Sequence, residues 1–128
     1  MIDVLVVASH CSEADVTKQQ SEYTRSAGKE VYGVLMMQHM LSADELLEQA
    51  KKMQEHGACG IILMDSAGWS LPHDITVKIK KLVEGLDIGV GFHAHNNLGM
   101  SVANSLAAVE AGASIIDATS RGFGAGAG

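Results

Sequence analysis

The chain of 128 residues has the length of one ordinary domain, and its 47% hydrophobic and 19% charged residues are typical of a folded globule. Its formal net charge of −6, from 9 Lys and Arg against 15 Asp and Glu, argues against a protein that binds a nucleic-acid backbone. No apolar run approaches the roughly 20 residues that span a bilayer, and the opening lacks the basic region of a secretory signal. We therefore expect a cytoplasmic protein whose partners include neither a nucleic acid nor a membrane.

Short aliphatic runs alternate with segments of helical periodicity along the whole chain. The runs are near-continuously apolar, as in strands buried on both faces of a parallel sheet. The predicted strands are Val4–Ala8, Val31–Met37, Gly60–Met64, Ile88–Phe92 and Ile115–Ala118. The predicted helices are Glu13–Ala27, Ala43–His56, Leu71–Glu84 and Leu98–Ala111.

A glycine follows each predicted helix, at the position where a residue in the left-handed conformation ends a helix. Three helix starts also have recognisable caps, the first at Ser12 before Glu13. Ser42 and Glu45 form a capping-box pattern, and Ser70 is expected to cap a helix whose first turn contains Pro72. The four glycines are Gly28, Gly57, Gly85 and Gly112.

The alternation of strands and helices predicts a parallel sheet with right-handed crossovers. Two architectures fit this pattern: a complete five-stranded doubly wound sheet, or part of an eight-fold barrel. Eight such units would need about 225–250 residues, and this chain holds five strands and four helices. The Gly-rich end at 122–128 is interpreted either as a frayed tail or as a loop cut through its middle.

The carboxyl ends of the predicted strands are unusually polar, and this is where parallel α/β folds form their sites. His93 and His95 are the sharpest signal, because residues two apart on a strand point to the same side. Two same-side imidazoles could bind Mn, Fe, Zn or Co, with a third ligand from elsewhere. The alternative is a pair of histidines that cap the strand end and bond the next helix.

Asp65 and Ser66 form a second candidate at the end of the third strand. The carboxylate could bind a metal or orient a ligating histidine, or it could cap the helix entered at Ser70.

Cys11 and Cys59 are predicted at opposite ends of the sheet, too far apart for a disulfide. Cys59 is interpreted as a core residue and Cys11 as a possible site residue. His10 and His39 are interpreted as rim histidines, with substrate contact as the alternative.

Five segments taken in order resemble consecutive blocks of the 4-hydroxy-2-oxovalerate aldolase family. The block around His93 and His95 alone would indicate only the wider superfamily, which includes isopropylmalate synthase and HMG-CoA lyase. The blocks are Ala8–Asp15, Leu35–Met40, Met64–Gly68, Gly91–Leu98 and Arg121–Gly128.

The resemblance implies a partial TIM (β/α)₈ barrel, with five parallel strands and four helices that correspond to strands four to eight. Residues 1–128 are then expected to be part of one catalytic domain, without its first strands and its C-terminal region. The implied reaction cleaves 4-hydroxy-2-oxovalerate, a 2-oxo acid, to pyruvate and acetaldehyde, in the meta-cleavage catabolism of aromatic compounds. The family uses a divalent metal, usually manganese, and works with an acylating acetaldehyde dehydrogenase.

Carried over residue by residue, the resemblance assigns the metal to His93 and His95 and substrate binding to Ser66 and His93. The resemblance implies that the family's Arg, Asp and catalytic His belong to a first strand that lies outside residues 1–128. No catalytic residue is therefore expected here, and the isolated chain is expected to be inactive.

Two alternatives stay open. The first is an acyl-CoA-dependent synthase or lyase of the same superfamily, of the isopropylmalate synthase or HMG-CoA lyase type. The second is a receiver-type signalling module, which needs an acidic cluster at the end of strand one and usually a Lys at the end of strand five. Here Ser9 and His10 occupy the first position, and no Lys follows Leu82.

Overall fold

The computed structural model describes residues 2–124, which form alternating strands and helices. The strands are β1 Val4–His10, β2 Glu30–Met36, β3 Gly60–Asp65, β4 Gly89–Ala94 and β5 Ile115–Asp117. The α-helices are α1 Lys18–Ser26, α2 Ala43–Glu55, α3 Pro72–Gly85 and α4 Ser101–Glu110. Short 3-10 turns occupy Ala14–Thr17, Gln38–Met40 and Ser120–Gly122.

All nine predicted elements are confirmed, and the differences lie at their ends. The first helical segment opens as a 3-10 turn and becomes α-helical at Lys18. Helix α4 begins at Ser101, three residues later than predicted, because Gly99 adopts a positive φ of 71° and the Asn96 side chain accepts a hydrogen bond from the Ser101 N–H. Residues 125–128 of the Gly-rich end lie outside the described residues.

The five strands form one parallel sheet in the order β1-β2-β3-β4-β5. A doubly wound sheet reverses its strand order at a switch point, and no reversal occurs here. Helices α2, α3 and α4 contribute to a single core on one face of the sheet, with Leu35, Leu63 and Phe92 from the strands. This arrangement is a segment of a TIM barrel, so the doubly wound alternative and the receiver module built on it are wrong.

The two faces of the sheet explain why the strands are near-continuously apolar. The helix-facing side buries Leu35, Leu63 and Phe92, and the opposite side, which becomes the inside of a barrel, carries the well-buried Val34 and Ile62. None of the helices within residues 2–124 is long and apolar enough to cross a membrane.

Three of the four helix-ending glycines have the predicted positive φ, namely Gly28, Gly57 and Gly112. The prediction for Gly85 is wrong, since this residue is the last of α3 and Leu86 follows in an extended conformation. A Cβ at Gly85 would lie 2.6 Å from the Leu47 methyl groups, so the glycine allows α2 and α3 to approach closely.

The predicted helix caps have different outcomes. The Ser12 cap is wrong, because the first helical turn begins at Ala14 and Glu13 occupies the cap position without a side-chain hydrogen bond. The Ser42 capping box is confirmed, with the Ser42 side chain accepting from the Glu45 N–H. The Ser70 cap is wrong, because α3 begins after Leu71, whose N–H donates to the Asp74 carboxylate. The Ser70 hydroxyl points instead to Asp65.

The open β1 edge predicts self-association of the 128-residue chain. Val4 and Val6 are about half exposed there, and an unpaired strand edge recruits strands from other chains. Burial of apolar surface contributes about 25 cal/mol per Å² to stability. If a few hundred Å² stay in contact with water, the lost stabilisation is comparable to much of the free energy of unfolding of a domain. We expect association or marginal stability in size-exclusion chromatography with light scattering.

A lysine substitution on β1 distinguishes association through this edge from a general loss of solubility. Val6→Lys should reduce association, whereas Val16→Lys, at a similarly exposed valine away from the edge, should not. A stable wild-type monomer with a sharp two-state melt would contradict the prediction.

Candidate metal and substrate site

The carboxyl ends of β3, β4 and β5 bring three side chains together on the barrel-inner face. In the sheet register Met64 pairs with His93, and His93 pairs with Asp117. Paired residues of neighbouring strands point to the same face, so these side chains lie side by side. Ala94 points to the opposite face and packs against the helix-side core.

The two histidines lie together, as their spacing predicted. The ring centroids of His93 and His95 are 5.1 Å apart and the ring planes are nearly perpendicular, at 87°. His93 is buried and His95 is half-buried just past the end of β4.

Each imidazole uses its Nδ1 atom for a protein contact. His93 Nδ1 lies 2.9 Å from Asp117 Oδ2, and His95 Nδ1 lies 3.1 Å from the Ser66 carbonyl oxygen. A carboxylate and a carbonyl only accept hydrogen bonds, so both Nδ1 atoms carry the hydrogen. In the neutral form of each ring, this arrangement leaves a lone pair on Nε2, as in histidines that bind metal ions through Nε2.

Asp117 is the site residue that sequence reasoning missed. Its position at the carboxyl end of the strand after His93 was the available signal, but the pairing of these two residues depends on the register between β4 and β5. Asp117 holds the His93 ring in one orientation and fixes its tautomer.

Asp65 does not join the histidines. It pairs with Ala94 and is completely buried on the helix side, where its carboxylate accepts from the Ser70 hydroxyl at 3.0 Å and from the Ser70 N–H at 3.3 Å. Its interpretation as a metal ligand or histidine partner is therefore wrong. The alternative is nearer the structure, since Asp65 orders the loop that leads into α3.

Ser66 connects the ends of three strands. Its Oγ accepts from the Met37 N–H at 2.9 Å, and its carbonyl accepts from His95. Met37 reaches Ser66 from a left-handed conformation, with φ 57° and ψ 36°. The Ser66 hydroxyl can still donate its own hydrogen to a bound molecule.

Two nitrogen ligands are an incomplete metal site. Across residues 2–124 no group of three or more His, Cys, Asp and Glu side chains is placed to hold one ion. A cavity of about 700 Å³ opens beside the histidines, bounded by Met36, Met64 and one side of α4 from Ser101 to Val109. The volume suits a small molecule as well as an ion.

Both cysteines are free, as the distance argument predicted. Cys11 is buried and donates from its Sγ to the Met37 carbonyl, and burial raises the pKa of its thiol. Cys59 is only partly buried and lies beside the Arg25 guanidinium, so its interpretation as a core residue holds in part. His10 accepts from Ser12 through Nδ1, the local contact expected of a rim histidine.

The fold and the strand-end histidines agree with a comparison of sequences. The model of the HMGL-like family matches residues 6–128, and the chain belongs to that family. The family resemblance read from the sequence blocks is thereby confirmed.

Among curated relatives, the chain is 59% identical over 127 residues to a 4-hydroxy-2-oxovalerate aldolase of Burkholderia pseudomallei (strain 668). It is 58% identical over 127 residues to a protein of the same name in Spirochaeta aurantia. Both matches cover 99% of this chain but 37% of the relative, so the chain spans little more than a third of their length.

Solved structures support the fold. The carboxyl transferase domain of Rhizobium etli pyruvate carboxylase superposes with a TM-score of 0.83 at 24% identity, over 91% of this chain and 21% of that one. The same domain with pyruvate and biocytin gives the same values. At this identity the likeness shows the shared barrel architecture.

The Asp117 contact predicts a loss of ion affinity when the carboxylate is removed. We would place this chain in a chimera, where it replaces the matching 127 residues of the Burkholderia relative. Asp117→Ala should weaken Mn²⁺ binding by about 10- to 100-fold, because the His93 ring loses its orienting acceptor. Calorimetry measures the affinity, and ¹⁵N NMR of the imidazoles reports the tautomer.

Asp87→Ala is the matched control, at an exposed aspartate before the amino end of β4. Equal Mn²⁺ affinities for the two variants would contradict the assignment of Asp117.

Proposed function

We propose that residues 1–128 are the carboxyl-side part of the catalytic barrel of an aldolase that cleaves 4-hydroxy-2-oxovalerate to pyruvate and acetaldehyde. The observation that carries the proposal is the His93–His95 pair, with both Nδ1 atoms bonded to acceptors at the carboxyl edge of the sheet. The identity of the proposed substrate is taken from the names of the relatives reported above.

The donor set fits a divalent ion. The Nε2 atoms of His93 and His95 would hold it, and we propose manganese, which accepts imidazole and oxygen ligands. When bound, such an ion supplies Lewis acidity toward the 2-oxo and carboxylate oxygens of the substrate, where negative charge develops as the C–C bond breaks. The remaining ligands are proposed to come from the part of the relatives' length that this chain does not span.

The residues of this chain would bind and orient the substrate. The Ser66 hydroxyl would donate a hydrogen bond to a substrate oxygen, and His93 would lie against the substrate as well as the ion. The Asp117 carboxylate would keep the His93 ring fixed during the reaction. Met36 and Met64, which line the cavity, would keep water from the developing charge.

Retro-aldol cleavage also needs a base that takes the proton of the 4-hydroxyl group. We propose that this base, together with the arginine and carboxylate implied by the resemblance, lies outside residues 1–128.

The product chemistry supports the proposed partner. Acetaldehyde is a reactive carbonyl compound, so an enzyme that oxidises it directly would limit its escape, and an acylating acetaldehyde dehydrogenase fits this role. We propose the cytoplasm as the location, in the catabolism of aromatic compounds. Two free cysteines at opposite ends of the sheet are in keeping with a reducing compartment.

The reaction can be tested in the chimera with purified 4-hydroxy-2-oxovalerate and a pyruvate-coupled assay. We expect Mn²⁺-dependent cleavage that acetyl-CoA does not change. His93→Ala and His95→Ala should each lower the activity by more than about 100-fold, because each removes an ion ligand. His73→Ala, at an exposed histidine of α3, is the control.

Activity that requires acetyl-CoA would favour the alternative, an acyl-CoA-dependent synthase or lyase of the isopropylmalate synthase or HMG-CoA lyase type. Full activity of both histidine variants would contradict the proposed site.

An assay of the isolated chain tests whether the base and the remaining metal ligands lie outside residues 1–128. We expect no acetaldehyde or pyruvate from purified residues 1–128 at any Mn²⁺ concentration, because two imidazoles alone hold this ion weakly. Turnover that persists through purification and is lost in His93→Ala would contradict the assignment of the base and third ligand to other segments.

A further inference from the structure

A buried polar chain lies behind the candidate site, on the helix side of the sheet. Lys78 of α3 donates from Nζ to the Gln38 side-chain oxygen at 2.7 Å and to the Gln38 carbonyl at 2.8 Å. Gln38 Nε2 donates to the Ser70 hydroxyl at 2.9 Å, which donates to Asp65 at 3.0 Å. Asn104 of α4 donates to the Ser70 carbonyl at 2.8 Å. Helices α3 and α4 thus hold the loops that follow β2 and β3.

This polar chain is continuous with the residues of the candidate site. Gln38 follows Met37, the residue in the left-handed conformation whose N–H donates to the Ser66 Oγ. Asp65 precedes Ser66, whose carbonyl accepts from His95. A left-handed conformation of a non-glycine residue is disfavoured and persists only where its surroundings impose it. The Cys11 thiol and the Met40 N–H both donate to the Met37 carbonyl, and the two Lys78 hydrogen bonds hold the next residue, Gln38.

The charges of this polar chain balance. Asp65 and Gln38 are completely buried, and a buried carboxylate needs a cation and hydrogen bonds to offset its loss of hydration. Burial lowers the pKa of Lys78, while the carboxylates of Asp74 and Asp65 act in the opposite direction. Ser70 and Gln38 bridge the positive Lys78 and the negative Asp65.

We propose that Lys78 is a positioning residue that acts through Gln38 and Met37 to fix the Ser66 hydroxyl for substrate binding. This inference rests on the proposed function, because it assigns Ser66 to the substrate. Lys78 lies on the helix side of the sheet and does not contact the proposed metal-binding pair. Its removal should therefore weaken substrate binding more than it slows the chemical step.

The test is a double-mutant cycle in the chimera, with steady-state kinetics on 4-hydroxy-2-oxovalerate. Lys78→Met should raise KM by about tenfold, the effect of losing a hydrogen bond to a charged group, with kcat changed less than about threefold. Ser66→Ala should raise KM similarly, and Lys78→Met should add less than about twofold in that background. Lys80→Met, on the exposed side of the same helix, should leave both constants unchanged.

Two kinetic results would overturn the inference: equal KM values for Lys78→Met and Lys80→Met, or a full multiplication of the Lys78 and Ser66 effects. If Lys78→Met does not fold, Gln38→Ala replaces it in the same cycle with the same expected values, because it breaks the chain at its next member.

Amide hydrogen exchange tests the role of Lys78 without relying on enzyme activity, and therefore independently of the proposed function. The Met37 amide, which donates to Ser66, should exchange at least about tenfold faster in Lys78→Met than in Lys80→Met, because it loses its restraint. Equal exchange rates would overturn the role of Lys78. A wild-type chimera that does not cleave the substrate would overturn the proposed function, while the exchange result would still decide whether Lys78 restrains Met37.

Discussion

The register between β4 and its two neighbours is the constraint on which the site depends. It places His93 beside Met64 on one side and beside Asp117 on the other. A slip by one residue would turn both histidines to the helix side and bring Ala94 inward. Gly91 helps to keep this register, since a Cβ there would lie 2.9 Å from the Ile115 Cβ and 3.1 Å from the Ile115 carbonyl. The close approach of β5 brings Asp117 within reach of His93.

Residues that are adjacent in the chain have different roles on the two faces of the sheet. Asp65 and Ser66 are neighbours in the chain, yet the Asp65 carboxylate is buried among polar groups on the helix side, while Ser66 joins Met37 and His95 at the inner edge. The buried carboxylate orders the loop in which Ser66 lies. Groups with no contact to the histidines can therefore determine the geometry of the site.

How far the fold and the site follow from the sequence differs from residue to residue. The elements were predictable because continuous apolar runs and helical periodicity are local signals. The local pattern could not distinguish a doubly wound sheet from a barrel segment, because both have alternating strands and helices. The family resemblance favoured the barrel. Strand order then decided it in the structure. Gly85 and Ser70 were assigned wrongly because their contacts, to Leu47 and Asp65, come from packing rather than from helix ends.

The sequence by itself determined that two imidazoles point to the same side of a strand end, because side-chain direction alternates along a strand. Only the tertiary structure decided which acceptors the two Nδ1 atoms contact, that Asp65 accepts from Ser70, and that Lys78 donates to Gln38 in the loop after β2. Each of these contacts joins segments between 5 and 40 residues apart. Most of them depend on strand register and helix packing, which are set by burial of the whole core rather than by a local pattern.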